Sequence, residues 1–333
     1  MKTGTALALI TEVLRANPAQ SIYMSGAPGV GKTSLAYALA EQLALPADRV
    51  LLFRPSLRDP VDLMGVPSTD GGVTTFCPPA ELAAFRAGTG PGLIIWDELA
   101  QAGAMMQNAI GGALLDRVLG ALRLDAQVMQ IATGNRTTDK AGANRIVSQL
   151  ANRVMLVDVD VGLDDWCGWA MREGLDPLVI AFIRLRPDLL SEFDPDRFSN
   201  PTPRSWEATA RLPHGLKKEH LIYAASGLVG EAAAAEYVGF RGLADKMPSI
   251  DGILMAPATA EVPTDPGVMY AVGAALAHRA TAKNVANVIQ YAQRLPLEFA
   301  TVTVKDVLVR QPALFSAPAV TAWIVKHGEA LNV

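Results

Sequence analysis

A glycine-rich loop between a short apolar segment and an alanine-rich segment constrains this chain more than any other feature. The loop matches the phosphate-binding pattern G-x-x-x-x-G-K-[ST] at every fixed position, over Gly26, Ala27, Pro28, Gly29, Val30, Gly31, Lys32, Thr33 and Ser34. Residues 21–24 before it predict a strand, and residues 34–45 after it predict a helix. Glycines let the backbone approach a phosphate chain closely, and the positive end of a helix attracts the anion. We therefore expect a nucleotide site, with Lys32 at the β and γ phosphates and the Thr33 hydroxyl on Mg²⁺.

The composition fits a globular α/β protein and disfavours nucleic acid as a constant partner. Half of the 333 residues are apolar and 6% are aromatic, so the chain can bury a large core. Its 29 basic and 33 acidic side chains leave a formal charge of -4, without a dense run of lysine or arginine. Constitutive binding to DNA or RNA is therefore not expected.

The sequence gives no sign of a zinc site, a disulfide framework or a membrane segment. Cys77 and Cys167 lie far apart without a C-x-x-C pair, and the histidines lack the H-E-x-x-H spacing. The apolar residues 6–10 are too few for a signal peptide, and no segment offers roughly eighteen uninterrupted apolar residues. We expect a cytoplasmic protein with no membrane partner.

Two acids end a continuous apolar run at residues 92–98, which is typical of a parallel strand buried on both faces. Ionised carboxylates at such a place are costly unless a cation or a hydrogen-bond network receives them. In a nucleotide hydrolase, Asp97 would hold the Mg²⁺ shell and Glu98 would orient or deprotonate the attacking water. On the pattern alone, the acids could equally cap a helix or face solvent in a turn.

A second buried strand is predicted over residues 128–133, and Gly134, Asn135 and Arg136 follow it. In a doubly wound sheet this strand would lie beside the acid-bearing one, which would bring Asn135 within reach of the attacking water. Alternatively, Asn135 is an ordinary turn residue. Arg153 stands immediately before the last predicted strand, residues 154–159.

Two short hairpins interrupt this pattern of strands and helices. Prolines and glycines interrupt the short apolar stretches of residues 56–81. Between two of these stretches, Asp70-Gly71-Gly72 predicts a hairpin turn. A second hairpin is predicted over residues 118–124, with its turn near Gly120. From residues alone, the first hairpin could be a surface loop that tolerates insertion.

The order of these motifs resembles the AAA+ ATPases, and their details resemble the MoxR branch with its insert in helix 2. The matching pieces are GAPGVGKTS, DLMG with the hairpin VPSTDGGVTTF, PPAEL, LIIWDELAQA, IATGNR and QLANRVMLVDV. The resemblance covers residues 1 to about 245. It implies an α/β fold with a P-loop AAA+ parallel-sheet core over residues 1–162, a hairpin insertion near 59–80 and an α-helical lid over 163–245. Residues 246–333 are expected to form a linker and an additional C-terminal helical segment.

The resemblance also implies roles for individual residues. Lys32 and Thr33 would belong to Walker A, Asp97 and Glu98 to Walker B, Asn135 to sensor 1, Arg153 to the arginine finger and Arg204 to sensor 2 of the lid. The chain departs from the family where Arg136 follows Asn135 and where Asn152 and Val154 flank Arg153. Arg136 and Arg145 therefore remain alternative fingers, and each of these arginines could instead be a plain surface residue.

The implied function is Mg²⁺-dependent ATP hydrolysis by a homo-oligomeric, hexameric ring that remodels or matures a protein client. A partner with a von Willebrand factor A domain is implied by the resemblance alone. Two alternatives stay open at this point. One is a motor or loader directed at nucleic acid, which the near-neutral charge disfavours, and the other is a nucleotide-dependent switch whose hydrolysis times a binding event.

Overall fold

The computed structural model describes residues 1–69, 72–136, 150, 153–244 and 246–331. The chain divides into two compact units, residues 1–162 and residues 163–333. None of the helices in the described ranges combines the length and the apolar character needed to cross a membrane.

A five-stranded parallel sheet forms the centre of the first unit. The strands of this unit are Ile22–Ser25 (β1), Val50–Phe53 (β2), Val66–Ser68 (β3), Thr75–Cys77 (β4), Gly92–Trp96 (β5), Val118–Leu119 (β6), Leu122–Arg123 (β7), Val128–Gly134 (β8) and Met155–Asp158 (β9). The large sheet has the order β2-β5-β8-β1-β9, and every neighbouring pair in it is parallel. The predicted P-loop α/β core is therefore confirmed.

Helices cover both faces of this sheet. They are Thr3–Ala16 (α1), Lys32–Gln42 (α2), Val61–Met64 (α3), Ala80–Ala83 (α4) and Ala104–Asp116 (α5), with short 3₁₀ turns at Ala47–Arg49, Pro55–Leu57 and Leu99–Gln101. Ile22 and Met24 pack with α1 and α2 on one face, whereas Tyr23 packs with α5 on the other. Burial on both faces explains why the strands are continuous apolar runs rather than alternating ones.

The strand order brings the chemistry-bearing loops to one edge of the sheet. Strand β8 lies between β1 and β5, with Ser25 paired to Gly134 and Trp96 paired to Ala132. Because parallel strands end at the same edge, the glycine-rich loop after β1, the acids after β5 and Asn135 after β8 meet there.

Both predicted hairpins are present. Strands β3 and β4 pair antiparallel, with Val66 opposite Cys77. A Cβ on Gly65 would lie 2.0 Å from the Cys77 carbonyl oxygen, so only glycine fits before this hairpin. The predicted turn residues Asp70 and Gly71 lie outside the described residues. Strands β6 and β7 form the second hairpin, and Gly120 has a φ of 55° at its turn.

The second unit is built from helices in its described part. These are Leu163–Arg172 (α6), Pro177–Leu185 (α7), Pro203–Ala210 (α8), Lys218–Val229 (α9), Glu231–Ala244 (α10), Ile250–Met255 (α11), Pro266–Arg279 (α12), Val285–Ala292 (α13), Leu297–Arg310 (α14) and Pro318–Leu331 (α15), with 3₁₀ turns at Pro187–Leu190 and Pro312–Ser316. A buried ion pair joins α7 to α14, because Arg184 donates two hydrogen bonds of 2.5 and 2.6 Å to Asp306. Removing either partner alone would leave a buried charge uncompensated.

One stretch of the second unit differs from the expected linker over residues 246–266. Helix α11 lies inside it, with the Ser249 side chain accepting a hydrogen bond from the Gly252 N–H at its start. Ile253 is fully buried, so this helix belongs to the core of the unit. The expectation of a plain surface linker missed this helix because the surrounding prolines hide a segment of only six residues.

Candidate functional site

The glycine-rich loop has a backbone that two of its glycines make possible. Gly29 and Gly31 have φ values of 77° and 94°, in the left-handed region that side chains disfavour. Gly26 meets a different restriction, because a Cβ there would lie 2.4 Å from the carbonyl oxygen of Val159. The loop therefore turns sharply while it packs against the segment that follows β9.

Lys32 is buried at the start of α2, and its ammonium contacts oxygen atoms of three residues. Its ammonium donates to the carbonyl oxygens of Gly26 at 2.8 Å and Ala27 at 3.0 Å. It also donates to the Asn135 side-chain oxygen at 3.0 Å. The residue predicted for phosphate binding and the residue predicted for sensor 1 are thus in direct contact.

Asp97 is the buried acid at the end of β5, and two threonines donate hydrogen bonds to it. Thr33 Oγ1 and Thr133 Oγ1 each lie 2.8 Å from Asp97 Oδ1. The other carboxylate oxygen, Oδ2, lies 3.5 Å from Arg54 Nε, which follows β2. Asp97 therefore joins α2, β8 and the end of β2 around one carboxylate.

Glu98 takes an unusual backbone conformation directly beside Asp97. Its φ is 58°, and its N–H donates to Thr133 Oγ1 at 3.0 Å. A left-handed backbone in a residue other than glycine costs free energy and is often kept at functional sites. The Glu98 side chain is exposed, whereas Asp97 is 5% exposed, so the two neighbouring acids have opposite environments.

The donor atoms at this edge fit a nucleotide with Mg²⁺. A threonine hydroxyl and a carboxylate are the hard oxygen ligands that Mg²⁺ takes in phosphate sites, and Thr33 and Asp97 offer both within 2.8 Å of each other. The positive end of α2 and the Lys32 ammonium provide the complementary charge for phosphates.

Residues 22–157 match the family model described as "ATPase family associated with various cellular activities (AAA)". The match covers the sheet described above except its last residue, Asp158, and includes the loop, both acids and Asn135. This segment is similar to an AAA domain. The match supports a nucleotide-dependent activity of the ATPase type for it, and it spans less than half of the 333 residues.

Searches of known proteins and structures give weaker likenesses. No curated protein sequence matches the chain. A RuvB mutant from Thermotoga maritima is 14% identical over 77% of this chain and 75% of its own, with a TM-score of 0.41. NtrX from Brucella abortus in complex with ADP is 16% identical over 99% and 68%, with a TM-score of 0.42. A DNA polymerase III gamma subunit-related protein from Thermotoga maritima is 12% identical over 97% and 98%, with a TM-score of 0.41.

The remaining residues of the predicted loop differ in burial. Ala27 and Pro28 are half-buried in the turn, Val30 is buried, and Ser34 is exposed in the first turn of α2. These positions shape the loop, and Ala27 contributes its carbonyl oxygen to Lys32.

Within the described part of the first unit, the predicted arginines Arg136 and Arg153 do not join this cluster. Arg136 makes hydrogen bonds to Asp158 and Asp160, which raise its pKa. Arg153 is exposed, and its side chain makes no hydrogen bond or ion pair within the described ranges. Arg204 is exposed in the first turn of α8 in the second unit, and Arg145 lies outside the described residues.

Sequence reasoning missed two contributors to the candidate site, Thr133 and Arg54. Thr133 lies at the carboxyl end of β8, and Arg54 follows the carboxyl end of β2. These two strands flank the acid-bearing strand β5. The sequence shows both as polar residues at the ends of buried strands. It does not show that both contact Asp97, because that depends on the register in which the strands pair. Thr133 holds Asp97 with its hydroxyl proton and receives the Glu98 N–H on the same oxygen.

We predict that Thr133→Val lowers Mg²⁺-dependent ATP turnover by about 10- to 100-fold, as for other residues that orient a metal ligand. Valine keeps the volume but removes the hydroxyl from Asp97 and from the Glu98 N–H. Thr133→Ser keeps the hydroxyl and is the matched control. Turnover would be followed against Mg²⁺ concentration by phosphate release, and equal rates for Val and Ser variants would contradict the assigned role.

Proposed function

We propose that the first unit binds ATP with Mg²⁺ and hydrolyses the γ-phosphate. The observation that carries this proposal is the pair of contacts at one sheet edge. Lys32 contacts Asn135 at 3.0 Å, and Thr33 contacts Asp97 at 2.8 Å. Lys32, proposed to bind phosphate, thus contacts Asn135, and Thr33, proposed to bind Mg²⁺, contacts Asp97.

Binding follows from the loop and the start of α2. The loop backbone and Lys32 would hold the β and γ phosphates, while Thr33 and Asp97 would hold Mg²⁺. When bound, Mg²⁺ supplies charge neutralisation for the phosphate oxygens. Arg54 balances the charge on the far oxygen of Asp97, and Thr133 fixes the near oxygen.

Hydrolysis requires a positioned group that receives a proton from water. Glu98 fits this role, because its carboxylate is exposed while its backbone is fixed by Thr133. Asn135 would hold the water or the γ-phosphate from the neighbouring strand. Since phosphoryl transfer depends mainly on positioning and electrostatics, the fixed backbone at Glu98 would serve the reaction.

We predict that Glu98→Gln retains ATP but lowers turnover by about 10²- to 10⁴-fold, because the amide cannot accept the proton. The dissociation constant for ATP, measured by isothermal titration calorimetry, should stay close to the wild-type value. Glu12→Gln, on the exposed face of α1, is the matched control. A Glu98→Gln protein with wild-type turnover would show that another group receives the proton.

The oligomeric part of the proposal is a ring, taken to be hexameric, in which Arg153 acts on the neighbouring subunit's nucleotide. An exposed guanidinium without a partner among the described residues supports this role. Arg136 is engaged with acids of its own chain, which makes it a poorer candidate. Arg204 would contact the γ-phosphate from the lid and couple hydrolysis to lid motion.

We predict that Arg153→Ala lowers turnover by about 10³-fold or more while ATP remains bound, as expected for loss of an arginine finger. Mixing Arg153→Ala with Glu98→Gln should restore part of the activity, because a mixed ring contains sites with an intact Glu98 facing an intact Arg153. Native mass spectrometry would establish that mixed rings exist. Mixed rings without recovered activity would contradict action between subunits.

The proposed role of the ring is to remodel or mature a protein client in the manner of MoxR proteins, with a von Willebrand factor A domain protein as adaptor. The exposed apolar side chains of the first hairpin support client contact. Val66 is 65% exposed, Val73 is 64% exposed and Phe76 is 44% exposed. Three exposed apolar side chains within eleven residues are the basis on which client contact is proposed for this hairpin.

We predict that replacing Val66, Val73 and Phe76 with serine leaves basal ATP turnover unchanged but abolishes its stimulation by an unfolded polypeptide such as reduced, carboxymethylated lactalbumin. The three positions are distant in sequence from every catalytic candidate, so the nucleotide site should not change. Serine replacements at Tyr223 and Val325, which are 79% and 83% exposed, form the matched control. Equal stimulation of both variants would move client contact away from the hairpin.

A further inference from the structure

Arg136 connects the ends of two strands that are not neighbours in the sheet. It follows β8, whereas its partners Asp158 and Asp160 lie at the end of β9, and β1 runs between these strands. Its Nε and Nη2 donate to the two oxygens of Asp158 at 2.8 and 2.9 Å, and Nη2 also donates to Asp160 at 2.6 Å. A planar guanidinium that engages a carboxylate with two parallel bonds fixes direction as well as distance.

The segment that receives Arg136 is itself attached to the start of the glycine-rich loop. The Val159 N–H, between the two acids, donates to the Ser25 carbonyl oxygen at 2.7 Å. The Val159 carbonyl oxygen packs so closely against Gly26 that a Cβ there would lie at 2.4 Å. Arg136 therefore binds a segment whose position is fixed relative to the loop.

On its other side, Arg136 adjoins Asn135, the residue that contacts Lys32. Asn135 has left strand β8, so the ladder of that strand no longer holds its backbone. The hydrogen bonds of the next residue to Asp158 and Asp160 provide that restraint instead. The distance from Asn135 Oδ1 to Lys32 Nζ is 3.0 Å. Arg136 restrains the Asn135 side of this contact, and the packing of Val159 against Gly26 restrains the loop that carries Lys32.

Stability alone does not explain these ion pairs. The side chains of Asp158 and Asp160 are 52% and 59% exposed, and exposed ion pairs contribute little to the free energy of unfolding. The two parallel bonds to Asp158 instead fix the position and orientation of the Arg136 side chain.

We propose that Arg136 is a positioning residue that acts within its own subunit, holding Asn135 against Lys32 by its attachment to Asp158 and Asp160. This inference rests on the proposed ATPase function. It assigns Arg136 to the same nucleotide site as Lys32 rather than to a neighbour's site. Misplacement of a positioned group by about 1 Å can cost about 100-fold in rate. Loss of the two parallel bonds between Arg136 and Asp158, called the fork below, should therefore lower turnover.

The variants that test this are Arg136→Gln, Arg136→Lys and Asp158→Asn, with Arg211→Gln as control. Arg211 also donates from Nε and Nη2 to a carboxylate, in both cases to Glu207 Oε1, and both residues belong to the second unit. Arg136→Gln should lower kcat by about 10- to 100-fold while the dissociation constant for ATP stays close to wild type. Arg136→Lys keeps the charge but loses the fork, so it should resemble Arg136→Gln, whereas Arg211→Gln should resemble wild type.

A double-mutant cycle separates positioning of Asn135 from other effects. On an Asn135→Ala background, Arg136→Gln should cause little further loss of kcat, because the group that it positions is already gone. Losses that multiply would overturn the proposal. Mixing Arg136→Gln with Glu98→Gln subunits should restore no activity, and recovery in confirmed mixed rings would overturn it in favour of a finger.

Hydrogen exchange in the protein without nucleotide provides a measurement that does not depend on hydrolysis. Arg136→Gln should speed exchange of the Asn135 and Arg136 amides, and Arg211→Gln should not. Unchanged exchange would overturn the proposal. If the wild-type protein hydrolysed no ATP, the proposed function would fail, while the exchange result would still decide whether Arg136 restrains Asn135.

Discussion

The candidate site depends on one buried carboxylate, that of Asp97. A carboxylate that is 5% exposed is costly unless hydrogen-bond donors receive it. Thr33 from α2 and Thr133 from β8 provide those donors at 2.8 Å each. The helix that follows the glycine-rich loop and the strand that ends just before Asn135 are therefore held to the acid-bearing strand by the same group that would hold Mg²⁺.

Much of this arrangement could be predicted from sequence because it follows from short-range patterns. The glycine-rich loop, the apolar runs and the acids after the third core strand together predict a parallel sheet with its chemistry at one edge. The contacts of Thr133 and Arg54 could not be predicted in the same way. They depend on the register that pairs Trp96 with Ala132 and on β2 lying next to β5, and neither is written in a local pattern.

The same distinction applies to Arg136 and to the second unit. Sequence left Arg136 open as an alternative finger, because only the position of β9 reveals that Asp158 and Asp160 receive it. Helix α8 of the second unit follows from a local signal, its Thr202-Pro203 start, whereas α11 was missed. How the helices of this unit pack depends on pairs such as Arg184 and Asp306, far apart in sequence, and no motif after residue 266 indicates a function.

The most direct test of the central claim is a calorimetric titration of Lys32→Ala with Mg²⁺ and ATP, beside wild type and Lys218→Ala. Lys218 is an exposed lysine on α9, so it controls for the loss of one positive charge. The phosphate-binding assignment predicts that Lys32→Ala loses all measurable ATP binding or nearly all of it, because the ammonium is the point charge that faces the β and γ phosphates. Wild-type ATP affinity in a folded Lys32→Ala protein would contradict it.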